Sequence, residues 1–238
     1  MGQIADNLLK VRERMEAAAL RSGRDPKDII LVAVSKGQGL EKIEEAVAAG
    51  VEVLGENFVQ EAKAKIEALR SSGQALKLKA SWHFVGHLQT NKAKQAVELF
   101  GLIHSVDSIK LARELARQAE KLGKRMPVLI QVNISQEATK FGVEKDEAVE
   151  LIKEAAGLKG LEVQGLMTIG PLFDEPEMSR PYYVALRHLR DEMAASGLVK
   201  ADLKYLSMGM SLDYQVAIEE GANLVRVGTA IFGPRGQV

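Results

Sequence analysis

Short runs of β-branched and other apolar residues alternate with longer amphipathic stretches, and the alternation recurs about eight times along the chain. The strand candidates are IILVAVSK, VEVLGEN, SWHFVG, LIHSV, PVLIQVNI, LEVQGLMTI, KYLSMGM and NLVRVG. Between them lie helix candidates such as LEKIEEAVAAG, VQEAKAKIEALRSSG, SIKLARELARQAEKLG and EAVELIKEAAG, several ending in the glycine expected just past a helix C-terminus. This strand–helix alternation is the mark of βα units around a parallel sheet, and eight such units joined by right-handed crossovers close into a (β/α)₈ barrel. An open doubly wound sheet is the alternative. No GxGxxG follows the first strand, where a dinucleotide site needs it, so the barrel is the expected fold.

No linker rich in Pro, Ser or Gly divides the 238 residues, a length ordinary for one such barrel. The expectation is one domain over 1–238, with an N-terminal helix over about 1–22 that serves as a dimer contact or a barrel plug. TAIFGPRGQV after the last strand leaves no room for a second folded domain. Hydrophobic residues at 46% and charged residues at 27% exclude a disordered chain. Lys plus Arg (32) balances Asp plus Glu (32), so no net field draws nucleic acid or an anionic membrane, and a bound anion must be met by local groups. The absence of cysteine excludes disulfides, thiolate metal sites and a cysteine nucleophile. The charged N-terminal stretch and the lack of any run of about 18 apolar residues lead to the expectation of a cytoplasmic protein.

Chemistry in such barrels gathers at the C-terminal ends of the strands. The first strand closes on Ser35 and Lys36, the second on Gly55, Glu56 and Asn57, the third on His83 with Gly86 and His87 beyond it. The seventh ends in Ser207 to Ser211, and the eighth in Arg226, Gly228 and Thr229. A strand-end lysine normally keeps its ammonium in water. Parity argues otherwise here: if Ile30, Val32 and Val34 face the barrel axis, so does Lys36, where partial desolvation favours a neutral amine able to attack an aldehyde. LSMGMS and RVGTA follow the seventh and eighth strands, whose loops often bind phosphate in barrels, and Ser207, Ser211 and Thr229 add hydroxyls to glycine turns. Arg226 shares the inward face with Gly228 and must meet either a carboxylate, such as Glu219 or Glu220, or a ligand acceptor. Of Trp82 and His83, one faces the axis and the other the helices. The histidines His83, His87, His104 and His188 lack zinc-ligand spacing, and Thr90 and Asn91 read as a helix cap.

Taken in order, LVAVSK, GENFVQE, SWHFVGHLQTNK, GLMTI, LSMGMS and VRVGTAIFG closely resemble the YggS/PROSC family of pyridoxal 5′-phosphate (PLP) homeostasis proteins, over nearly the whole chain. The resemblance implies a barrel similar to the N-terminal domain of alanine racemase, a covalent Schiff base between PLP and Lys36, and no established catalysis. It also implies phosphate contacts from Ser207, Gly228 and Thr229, an approach of Arg226 to the pyridine nitrogen, and a ring lined by Asn57 and His83. The commoner SKT pattern is replaced by Lys36-Gly37-Gln38-Gly39, for which a looser loop is expected.

Three functions compete. The first is a PLP carrier in vitamin B6 homeostasis, a monomer or weak dimer that serves PLP-dependent apoenzymes. The second is a small PLP enzyme such as an amino-acid racemase. Racemisation needs acid–base groups on both faces of the bound substrate, and in the racemases that the chain resembles one of them is a tyrosine from a second domain. Tyr182, Tyr183, Tyr205 and Tyr214 are this chain's formal candidates, with packing as the simpler explanation. The third, a binding regulator acting through protein or RNA, finds no basic stripe to support the RNA version.

Overall fold

The computed structural model describes residues 2–71, 80–137, 140–197 and 201–234. Met1, the expected last two residues of the VQEAKAKIEALRSSG helix and the tail from 235 lie outside the described residues. The strands are β1 (Ile30–Val34), β2 (Val53–Glu56), β3 (Ser81–Phe84), β4 (Leu102–Val106), β5 (Met126–Asn133), β6 (Val143–Glu144), β7 (Leu161–Met167), β8 (Tyr205–Ser207) and β9 (Leu224–Val227). Hydrogen-bonded neighbours run β4-β3-β2-β1-β9-β8-β7-β5, and β4 pairs with β5 to close the ring, all in parallel. This closed eight-stranded parallel barrel is the expected fold. The two-residue β6 pairs only with the end of β5, so the seventh and eighth strand candidates are β8 and β9.

The helices are α1 (Gln3–Arg21), α2 (Leu40–Ala48), α3 (Val59–Ser71), α4 (Ala93–Leu99), α5 (Ile109–Lys121), α6 (Lys145–Ala156), α7 (Arg180–Ser196), α8 (Tyr214–Glu219) and α9 (Thr229–Phe232). Two separate apolar layers result from the period-2 pattern of the strands. Inside the barrel, Val32, Val85, Leu102, Leu129, Met167 and Leu224 pack together, with Ile30, Val34, Val53 and Tyr205 at the edge of the cluster. The alternate residues, among them Ala33, Leu54, Phe84 and Ile103, face the helices in a larger core. Each fully buried aliphatic side chain of these layers contributes on the order of 1.5–3 kcal/mol.

α1 buries Ile4, Leu8, Val11, Met15 and Ala18, a stripe at helical spacing, against α8 and α9. Asn7 Nδ2 donates to the Ile231 carbonyl at 3.0 Å, so the helix belongs to the outer layer and does not plug the barrel. The expected cap at Thr90 and Asn91 is not formed. Thr90–Lys92 is itself a short 3₁₀ turn running into α4, and neither Gln89 before it nor Lys92 before α4 makes a side-chain cap. Among the described residues no helix is long and apolar enough to cross a membrane.

Candidate functional site

The inward parity of β1 carries through to its end: Val34 and Lys36 both line a cavity of about 690 Å³ at the C-terminal mouth of the barrel. Beyond Val34 the chain turns at once. Gln38 N–H donates to the Ser35 carbonyl at 3.1 Å, and Gly37 adopts φ +69°, which a Cβ-bearing residue rarely tolerates. The departure Gly37-Gln38-Gly39 therefore forms a defined turn rather than the looser loop expected. Gln38 is buried, and its side-chain carbonyl accepts from Lys42 Nζ at 2.9 Å.

Behind this turn, between barrel and helices, Glu56 points outward from β2 and is fully buried. Its Oε1 accepts from Ser35 Oγ and from Lys65 Nζ of α3, both at 2.7 Å. Lys65 also donates to the Ser35 carbonyl and to Glu61 Oε1, each at 2.7 Å, while Glu61 Oε1 accepts from the Gly37 N–H at 2.6 Å. Burial pushes the Glu56 carboxyl above its ordinary range, against the pull of Lys65 and Ser35. Burial acts on Glu61 in the same sense, but the bonds from Lys65 and Gly37 and the charges of Lys65 and Lys36 outweigh it and hold that carboxyl low.

The upper layer of the barrel interior is a polar chain. His83 Nδ1 lies 3.1 Å from His104 Nε2, and His104 Nδ1 lies 2.8 Å from Ser207 Oγ. Arg226 NH1 donates to Ser207 Oγ at 2.6 Å and NH2 to the Thr168 carbonyl at 2.8 Å. Because arginine only donates, the assignment that uses every proton has Ser207 O–H donating to His104 Nδ1 and His104 Nε2–H donating to His83 Nδ1. Both histidines are neutral. Burial pulls His83 down to about 4 and His104 well below its ordinary value, the latter helped by His83 and Arg226. Burial likewise lowers Arg226 to about 10, partly opposed by Tyr183 and Asp213, and it stays cationic near neutrality. Among the described residues no carboxylate pairs with it: Glu219 and Glu220 bind Arg21, Arg180 and Arg187 on the outer surface.

Arg226 nevertheless lines the same cavity as Lys36, together with Asn57, Ser211, Gly228 and Thr229. The register Val32↔Arg226 sets Lys36 two inward positions higher on the adjacent strand, with Val34 and Gly228 at the level between them. A Cβ on Gly228 would sit 3.2 Å from the Val34 carbonyl, a tight contact, so glycine leaves that level its most open. Ser211 Oγ accepts from Gly228 N–H at 3.2 Å and Ala230 N–H at 3.4 Å. Asn57 is fixed from behind by Gly86, where a Cβ would lie 2.4 Å from the Asn57 carbonyl oxygen.

Five of the seven residues singled out in the sequence, Lys36, Asn57, Arg226, Gly228 and Thr229, thus meet at one cavity. His83 and Ser207 lie in the buried layer beneath, with the Ser207 hydroxyl already engaged by Arg226 and His104. His83 takes the inward position and Trp82 packs against the helix-side core. Sequence reasoning missed His104, Thr168, Glu61 and Lys65. His104 alone carried a readable signal, as a polar residue at the centre of an apolar strand.

The family model described as "Alanine racemase, N-terminal domain" matches residues 2–236. A pyridoxal phosphate homeostasis protein of Aquifex aeolicus is 44% identical over 230 residues, 97% of each chain. PipY of Synechococcus elongatus, solved with PLP bound, superposes with a TM-score of 0.83 at 35% identity, covering 97% of this chain and 100% of that one. An alanine racemase of Clostridium difficile shares the fold alone, with a TM-score of 0.70 at 19% identity over 95% of this chain and 59% of its own. The chain belongs to the family of pyridoxal phosphate homeostasis proteins, built on the alanine racemase N-terminal domain.

Proposed function

We propose that the protein binds PLP covalently through Lys36 and serves in PLP homeostasis, holding the cofactor reversibly rather than using it for turnover. The observation that carries the reading is the convergence of Lys36, Arg226, Asn57 and the Gly228–Thr229 backbone on one mouth cavity. The names of the relatives and the PLP seen in PipY agree with it. PLP supplies an electrophilic aldehyde, an aromatic ring with a basic nitrogen, and a phosphate dianion.

The residues fit that group. Lys36 would provide the amine for the aldehyde. The backbone N–H groups of Gly228 and Ala230 already hold an oxygen, the Ser211 hydroxyl, and with Thr229 they make a donor cradle suited to phosphate. Ser211 is therefore the hydroxyl we assign to the phosphate, while Ser207 orients Arg226 and His104. Arg226, directed by Ser207 and the Thr168 carbonyl, would hold the ring nitrogen as a donor, which would disfavour its protonation and weaken the ring as an electron sink. Asn57 on the cavity wall and His83 in the layer below would line the ring.

Two features support a non-catalytic role. An unprotonated ring stabilises a carbanion poorly, and none of the four tyrosines lines the cavity. Tyr183 is buried with its hydroxyl on Asp213 Oδ2 at 2.6 Å, and Tyr182 stacks on Phe173. The reading takes the chain as one cofactor-binding barrel with its N-terminal helix, a cytoplasmic monomer or weak dimer that passes PLP to dependent apoenzymes through the open mouth.

The test is the absorbance spectrum of the purified protein with PLP, followed by borohydride reduction and peptide mass mapping. A visible band with the pyridoxyl adduct on Lys36 is expected. An adduct scattered over surface lysines, or turnover of an amino acid that far exceeds free PLP and vanishes in Lys36→Ala, would overturn the reading.

A further inference from the structure

The two peptide groups that flank Lys36 are both tied to one buried charge cluster on the far side of the barrel wall. Lys65 Nζ donates to the Ser35 carbonyl at 2.7 Å, immediately before Lys36. Glu61 Oε1 accepts from the Gly37 N–H at 2.6 Å, immediately after it. Lys65 joins the two sides by donating to Glu61 and to Glu56, and Glu56 in turn holds the Ser35 hydroxyl. The side chains of Lys65 and Glu56 are 8% and 0% exposed, so their contact is dry, whereas Glu61, the i,i+4 partner of Lys65, is 28% exposed and closes the cluster on the solvent side.

Burying two charged groups, Lys65 and Glu56, is a poor way to stabilise a fold, because an apolar replacement of similar volume is often as stable. Glu56 even keeps one oxygen, Oε2, with no partner. What the cluster does that an apolar cluster cannot is to grip a backbone carbonyl on one side of Lys36 and a backbone N–H on the other. The turn it grips needs the help, since Gly37 at φ +69° is the residue type with the most freedom to lose.

We infer that Lys65, with Glu56 and Glu61, is the positioning device for Lys36: the cluster clamps the 35–37 turn so that the amine enters the cavity in one orientation. This rests on the proposed attachment of PLP to Lys36. Orientation of a nucleophile is a rate effect, and a misplacement of about 1 Å can cost about a hundredfold. Neither Lys65 nor Glu61 touches the cavity, so the effect is transmitted through the backbone.

The experiment compares wild type, Glu61→Ala, Glu61→Gln and the double variant Glu56→Gln/Lys65→Met, which removes both buried charges and so avoids stranding one of them. Ile66→Val, on the same helix but outside the cluster, is the control for a general loss of packing. Two quantities are read: the rate at which borohydride-trappable PLP appears on Lys36, and hydrogen exchange of the Gly37 amide without PLP. The double variant is expected to attach PLP about ten- to a hundredfold more slowly. Glu61→Ala should raise Gly37 exchange by about tenfold, the loss of one hydrogen bond, with Glu61→Gln recovering most of it because an acceptor oxygen remains. Ile66→Val should move neither quantity. Wild-type attachment rates in the double variant, or unchanged Gly37 exchange in Glu61→Ala, would overturn the clamp. Absence of any Lys36 adduct in wild type would overturn the function instead, and the exchange arm would still decide the clamp.

Discussion

The two buried histidines predict that acid weakens the fold well before its carboxylates titrate. An unfolded histidine titrates near 6.5, whereas burial holds His83 down at about 4. The unfolded chain therefore binds more protons than the folded one between these values. The sign follows directly: stability is full above about pH 6.5 and declines as pH falls toward the folded value, at up to about 1.4 kcal/mol per pH unit per histidine. Between pH 7.5 and 5.0 this amounts to about 2 kcal/mol for His83, and His104, which burial also holds well below its ordinary value, acts in the same direction. Glu56 and Asp107, both raised by burial, oppose the trend because they gain protons in the folded state first. The carboxyls held low, such as Glu61 and Glu219, contribute only below about pH 4.5 and are avoided by stopping at 5.0. Urea denaturation at the two pH values gives the difference, and His83→Met removes the His83 contribution together with the part of the His104 shift that His83 causes. The expected loss on acidification shrinks by about 2 kcal/mol in the variant, whatever its absolute stability. Equal losses in the two proteins would mean that His83 is charged in the fold and that the donor order assigned to the buried chain is wrong.

Gly86→Ala should destabilise the protein by about 1–3 kcal/mol and displace Asn57, because the new Cβ meets backbone atoms that no rotamer change can move. Urea midpoints read the first effect, and a parallel drop in PLP affinity reads the second. Ser211→Ala should leave adduct formation on Lys36 intact while lowering PLP affinity about fivefold, the worth of one hydrogen bond, and making inorganic phosphate a weaker competitor. An unchanged competition constant would remove Ser211 from the phosphate site.

Strand parity is what made most of the site legible. Ile30, Val32 and Val34 alternate so regularly that the inward direction of Lys36 could be read from the chain, and the same rule gave Arg226 and Gly228, while for Trp82 and His83 it said only that the two face opposite sides. Parity gives direction but not partners. Ser207 was placed correctly on its strand, yet its hydroxyl meets His104, 103 positions away, and only barrel closure brings β4 opposite β8. The two residues of β6 carry no period at all. Glu61 and Lys65 are readable as a helix-surface pair at i and i+4, but nothing local says that α3 will bury Lys65 against the end of β1. Gly86 fills a niche whose walls exist only in the folded chain.

The arrangement of charge explains why so few residues need touch the ligand. Lys36 and Arg226 line one cavity from adjacent strands, and at the level between them Gly228 adds no side chain beside that of Val34. Beneath them the histidines are neutral, and the carboxylate nearest in field, Asp213, is bonded to Ser179, Tyr183 and the Met210 N–H. The cavity lining thus brings Lys36, Lys140 and Arg226 together with Asp213 and Glu137. Under the proposed binding mode a PLP phosphate would meet the Gly228 and Ala230 donors and its aldehyde the Lys36 amine, while Arg226 would supply a charged donor to the ring. Retention of PLP should then depend on the charged donor Arg226 more than on the neutral Asn57, so Arg226→Met should speed release of PLP more than Asn57→Ala does. Stopped-flow transfer of PLP to an excess of free amine measures both, and faster release from Asn57→Ala would refute the ordering.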